Sequence, residues 1–160
     1  MGVALDPQCT FAEGIEMRLR KVVTVDKPVE RVFAYLADFT TSNEWDPGTV
    51  QTVRISGDGG VGTTYRNTSK FAGRETQLTY VLNERVPNER IALRGENQTV
   101  ISEDTMTFRS LNAGARTEVT YVADFTFKGV ARFVAPLFKP AMTRLGDEAE
   151  VGLQRALDKL

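Results

Sequence analysis

The sequence contains no histidine, one cysteine and one tryptophan among its 160 residues. The first absence removes the commonest general base and the commonest transition-metal ligand together. With only Cys9 to add, zinc or haem ligation and Ser-His or Cys-His catalysis are excluded, and no metal or other cofactor is expected. Cys9 has no internal disulfide partner, which suits a reducing compartment. Also missing are an apolar run approaching the roughly 20 residues that span a bilayer and the charged and apolar regions of a signal peptide. A soluble cytoplasmic protein without stable membrane insertion is expected. Charge of one sign is lacking too: 20 Lys+Arg face 21 Asp+Glu, interspersed, and without a basic stripe no nucleic-acid partner is expected.

What is present is clean periodicity. A chain of this length most simply makes one domain, expected over residues 16–160 behind a flexible tail of residues 1–15. Residues 17–25 read as a strand, with Met17, Leu19, Val23 and Val25 on one face and Lys21 interrupting it. Pro28 and Glu30 then mark a helix start, and Val29, Val32, Phe33 and Leu36 recur at i, i+3, i+4, i+7. A short second helix or turn over 39–47 ends at Asp46-Pro47, because the residue before proline is pushed out of the α region. From there the period is two, giving strands at 49–56, 63–71, 75–86, 90–97, 100–111 and 116–128. Short breaks between them make consecutive antiparallel hairpins. Alternation predicts inward faces at Val53/Ile55, Tyr65/Phe71, Leu78/Tyr80/Leu82, Ile91/Leu93, Met106/Phe108 and Val119 to Phe127. From about Ala141 the period returns to 3.6, and twenty residues give a helix of roughly 30 Å, long enough to cover a sheet. Pro136 and Pro140 break the approach to it.

The stretch "GDGGVG", residues 57–62, fits G-x-G-x-x-G, but a strand-like "TTYRNTSKF" follows where a nucleotide-binding helix is required. It is read as a hairpin connection.

"KPVERVFAYLADFTTSNEWDP" resembles the opening of the SRPBCC superfamily, also called START-like or Bet v 1-like. "GDGGVGTTYRNTSKFAGRETQLTYVLNERVPNERIALRG" is similar to a run of its polyketide cyclase/dehydrase-like branch. The resemblance covers residues 16–160. It implies an α+β helix-grip fold: a curved seven-stranded antiparallel sheet around a long C-terminal helix, with two short helices between strands 1 and 2. It also implies a ligand cavity between sheet and helix.

The expected pocket follows from the inward faces. Tyr65, Asn67, Ser69 and Phe71 form one wall; Asn67 and Ser69 are polar where a plain core would be apolar, since an unpaired buried polar group costs about 1–3 kcal/mol. Leu78, Tyr80, Leu93, Met106 and Phe108 continue it, with Tyr121 and Phe125 beyond. Phe138, Met142, Leu145 and Ala149 are expected from the lid side, where Gly146, Ala149 and Ala156 leave space. Trp45 is read as a plug pinning the short helices, its N–H paired with Asn43, Glu44 or Asp46, in preference to a cavity-wall aromatic. Among charged residues, Glu75, Arg66, Arg94 and Arg109 point outward, while Glu84 and Asp104 are read as rim positions, so no catalytic residue is assigned. "ARFVAPLFKPAMTRL" is read as a packed lead-in to the last helix, with a membrane-touching gate as the alternative. The leading function is non-covalent binding or carriage of a small hydrophobic, lipid-like or aromatic ligand. The alternative is a polyketide cyclase/dehydratase-type enzyme using the same cavity, and a third reading is a regulatory module with a vestigial cavity.

Overall fold

The computed structural model describes residues 15–160. The tail expected over residues 1–15, with Cys9, lies outside them except for Ile15, which opens the first strand. The chain runs through β1 (Ile15–Val25), α1 (Val29–Leu36), a 3-10 turn (Phe39–Thr41) and α2 (Ser42–Trp45). Six strands follow: β2 (Thr49–Ser56), β3 (Thr64–Phe71), β4 (Arg74–Val86), β5 (Arg90–Glu96), β6 (Val100–Leu111) and β7 (Arg116–Phe127). The end of the chain is α3 (Ala131–Val134), a 3-10 turn (Ala135–Phe138) and α4 (Lys139–Asp158).

All seven strands form one antiparallel sheet in the order β1-β7-β6-β5-β4-β3-β2, so this is the helix-grip fold. Strands β2 to β7 are a meander of hairpins, as their short links require. Strand β1 closes onto β7 with Val23 opposite Val119. The link between β2 and β3 contains Gly57, Gly59 and Gly62, all at positive φ, the backbone of a tight turn.

Two covers share the concave face. Helix α1 buries the stripe Val29, Val32, Phe33 and Leu36, with Phe33 edge-on to Phe108 at 5.2 Å. Under it, Leu82, Ile91, Met106 and Val119 are almost fully buried. Each such side chain contributes about 1.5–3 kcal/mol by leaving water. Helix α4 takes the other half, burying Met142, Gly146, Ala149, Leu153 and Leu157. Lys21, the interruption in the β1 pattern, points to this helix and pairs with Asp147 and Glu150.

One strand departs from its expected face. Val53 and Ile55 were expected inward on β2, but Thr52 is the buried residue, and Val50 and Ile55 are 52% and 48% exposed. Strand β2 is the free edge of the sheet, and its register shifts at Thr49/Gln51 and Arg54/Ser56. Such irregularities change which parity faces inward. Thr52 is tolerated there because its hydroxyl lies 2.7 Å from that of Ser42 and accepts from Asn67 Nδ2 at 2.8 Å.

Candidate functional site

Between the sheet and α4 lies a partly enclosed cavity of about 600 Å³, within the range of small-molecule sites. Its wall joins the ends of β3 and β4, the middle of β6 and β7, the face of α4 and the α3 segment. Most of the side chains expected there from sequence meet on this wall. Asn67, Ser69 and Phe71 come from β3, and Leu78 and Tyr80 from β4. Tyr121 and Phe125 come from β7; Phe138, Met142, Leu145 and Ala149 close the lid side. Ala149 is the small residue that leaves room, while Gly146 also permits close packing: a Cβ there would lie 3.2 Å from Leu19.

Four expected lining residues are elsewhere. Tyr65, Leu93, Met106 and Phe108 are buried in the solid core and are absent from the cavity wall. Their face was read correctly, but α1 and Phe39 fill that half of the concavity. Phe39 stands edge-on to Tyr65 at 5.6 Å, as Phe33 does to Phe108.

The polar spots also differ from expectation. Asn67 was to orient a ligand, yet its amide donates to Thr49 and Thr52 and its carbonyl accepts from Ser69. It braces β2 against β3. The charged group that does reach the interior is Asp104, which was expected at the rim and is only 4% exposed. It lies mid-strand, opposite Leu93 and Ala123, in the inward series Ser102, Asp104, Met106, Phe108. Glu84, read from sequence as a rim position, is half-exposed, bound to Arg90 at 2.8 Å and absent from the cavity wall.

Asp104 anchors a polar group in a largely apolar chamber. Ser102 Oγ donates to its Oδ1 at 2.6 Å, and the Tyr121 hydroxyl donates to its Oδ2 at 3.2 Å. Burial raises the carboxyl to about 6, against the lowering effect of those two hydrogen bonds. Asp46, also on the wall, is raised by burial while accepting from Thr49 Oγ1 and the Gly48 N–H. Burial, then the charge of Asp104, pushes the Tyr80 and Tyr121 hydroxyls well above the ordinary phenol range. Tyr80 is held flat over Gly95 of β5, its cross-strand partner; a Cβ on Gly95 would sit 2.6 Å from the ring.

Trp45 is both plug and wall. It is 3% exposed, lines the cavity and stands edge-on to Tyr121 at 5.7 Å. The indole N–H does not pair with its neighbours as expected. Asn43 is engaged with the backbone of Thr52, Glu44 accepts from Tyr35, and Asp46 accepts from Gly48 and Thr49. Among the described residues Nε1 has no partner.

The α3 segment is not the packed lead-in expected. Val134 and Phe138 line the cavity, Phe138 edge-on to Phe71 at 5.7 Å, but Val130, Phe133 and Leu137 are 82%, 69% and 77% exposed. A helix stopped before Pro136 is too short to bury both of its faces. Among the described residues there is no cluster of three potential metal ligands, and no helix is long and apolar enough to cross a membrane.

Residues 16–160 match the family described as polyketide cyclase / dehydrase and lipid transport. The chain belongs to this family. No curated protein matches it. Among solved structures it is similar to the Zhui aromatase/cyclase from Streptomyces sp. R1128, at 18% identity and a TM-score of 0.74 over 91% of this chain and 95% of that one. A START superfamily protein from Mycobacterium smegmatis is 16% identical, with a TM-score of 0.68 over 89% and 94%. A protein from Thermus thermophilus is 16% identical, with a TM-score of 0.72 over 88% and 97%. At these identities the likeness is one of fold, and the family member's chemistry has to be argued from its own cavity.

Proposed function

We propose that this family member binds a small, largely apolar molecule non-covalently in the chamber between the sheet and α4. The observation that supports this is the partly enclosed 600 Å³ cavity, whose wall is mostly apolar and aromatic, with a hydrogen-bonded polar group at Asp104 and charged residues such as Lys70 and Arg74 where it reaches solvent. Burial of ligand surface against Phe125, Phe138, Met142 and Leu145 supplies affinity. The Asp104–Tyr121–Ser102 group supplies orientation. The family description, which includes lipid transport, agrees with a carrier.

A neutral apolar fluorophore, N-phenyl-1-naphthylamine, tests this reading. Its emission is expected to rise and shift to the blue on adding the protein, and Ala149→Leu, which fills the chamber from α4, is expected to abolish the response. Native mass spectrometry of freshly purified protein then asks for a co-purified small molecule. No dye binding by the folded wild type overturns the reading.

A second reading, a cyclase/dehydratase-type enzyme, is favoured by one feature. A carboxyl titrating near 6 and hydrogen-bonded to a tyrosine inside an apolar chamber is suited to proton transfer near neutral pH. Under it, Asp104→Asn abolishes turnover of a reactive substrate while dye binding survives.

A further inference from the structure

Resting on the binding reading above, we propose that the chamber selects an organic cation: an apolar, aromatic or aliphatic body bearing a protonated amine that is seated against Asp104 inside a ring of aromatic faces.

The argument begins with charge. Asp104 is buried and, among the described residues, receives two neutral donors, the hydroxyls of Ser102 and Tyr121. A buried carboxylate is costly unless a cation or a fuller set of donors meets it. The charges of Asp46 and Asp124, both of its own sign, raise it further. The basic residues on the chamber wall are differently placed. Lys21 of β1 is bound to Asp147 and Glu150 of α4, and Lys70 and Arg74 are exposed where β3 and β4 reach solvent. Asp124, on the opposite face of β7, is bound to Arg18 at 2.6 Å. Among the described residues the interior therefore holds two carboxyl groups, Asp104 and Asp46, and lacks a built-in counter-ion directed at Asp104.

The second argument is shape. Phe39, Trp45, Tyr80 and Tyr121 all reach the wall that contains Asp104. Aromatic faces attract an alkylammonium through their quadrupoles, most strongly when water is excluded. A carboxylate together with aromatic faces satisfies an ammonium on all sides. The same constellation repels a carboxylate or phosphate ligand, and a neutral alcohol gains only a hydrogen bond. An amine is thus distinguished from isosteres of equal size, which a purely apolar pocket would not achieve.

Titration follows from the same groups. Tyr80 and Tyr121 stay neutral through the range in which Asp104 titrates. Asp104, near 6, and Asp46, also raised, both lose charge as the pH falls. Affinity for the amine, which remains charged, should therefore fall toward pH 5.

The test displaces N-phenyl-1-naphthylamine with three isosteres: 1-naphthylmethylamine, 1-naphthalenemethanol and 1-naphthoic acid. At pH 8 the amine is expected to compete at least about tenfold better than the alcohol, and the acid worst. The preference should shrink about tenfold between pH 8 and pH 5. In Asp104→Asn, amine and alcohol should compete equally at both pH values. The charge and pH series uses the wild type alone, so a poorly folding variant does not remove the test. Equal competition by alcohol and amine at pH 8, or a preference that survives in a folded Asp104→Asn, overturns the cation proposal and leaves the binding reading standing. No dye binding by the wild type overturns both.

Discussion

The carbonyl of Trp45 occupies the space over Gly152 of α4: a Cβ on Gly152 would overlap the Trp45 oxygen and lie 3.1 Å from its carbonyl carbon. The last turn of α2 therefore rests directly on the long helix, and the same residue presents its ring to the cavity. Backbone cannot move aside as a flexible side chain can. Gly152→Ala is expected to lose about 1–3 kcal/mol by forcing the helices apart. It should also loosen ligand binding, since Trp45 moves with α2. Equilibrium denaturation and dye titration of the variant check both, and unchanged stability would mean the contact is slack.

Asp104 makes stability depend on pH in an unusual direction. Its folded value, about 6, lies above the roughly 3.9 of an unfolded aspartate. Its stabilising contribution is therefore full below about 4 and is lost as the pH rises through about 6. Asp104→Asn, which never ionises, is expected to be more stable than the wild type at pH 8, by on the order of 3 kcal/mol at most, with the difference vanishing near pH 4. Urea denaturation at the two pH values measures this. A variant less stable than the wild type at pH 8 would contradict it.

Strand β6 shows what periodicity conveys and where it stops. Val100–Leu111 was legible end to end, as was the parity that sends Met106 and Phe108 inward. Parity is a property of one strand. Whether an inward residue meets a helix or a void depends on which element arrives from elsewhere in the chain, so Phe108 fell under α1 and Phe125 onto the cavity. Asp104 shared the inward parity of Met106, but a lone carboxylate in an apolar series is usually a surface residue, and only tertiary packing reveals its burial. On β2 even parity misled, because edge-strand bulges are invisible to an alternating pattern. The long helix was located by its stripe, but the distinct roles of Ala149, facing the void, and Gly152, touching backbone, are matters of distance.

The polar brace between α2 and the edge strands should matter for folding. Thr52 is 2% exposed and its hydroxyl links Ser42 to Asn67. Thr52→Val keeps the volume but takes the partner from one Asn67 amide N–H, which still donates to Thr49, and from the Ser42 hydroxyl. A loss of about 1–3 kcal/mol is expected, read as a lower denaturation midpoint with an unchanged slope. Dye affinity should change little, because neither Ser42 nor Thr52 lines the chamber.

Gly95 governs the position of Tyr80. Because a Cβ there would fall 2.6 Å from the ring, Gly95→Ala must tilt Tyr80 toward the cavity. The expected result is a smaller chamber, weaker dye binding and about 1–3 kcal/mol lost to strain. Retained affinity would show that the ring finds another rotamer.

Tyr121 separates the electrostatic role of its hydroxyl from the packing role of its ring. The hydroxyl donates to Asp104 at 3.2 Å and thereby favours the ionised carboxylate. Tyr121→Phe keeps the edge-on contact with Trp45, so the fold and chamber should persist while that donor vanishes. The Asp104 carboxyl should then titrate above its present value of about 6, which carbon-detected NMR of the aspartate side chains follows directly. The sign is fixed by the chemistry, since removing a donor to the charged form destabilises that form alone. A titration that moved downward would mean that the hydroxyl had been accepting a hydrogen bond from a protonated Asp104, and that the carboxyl enters the chamber as a donor and not as an anion.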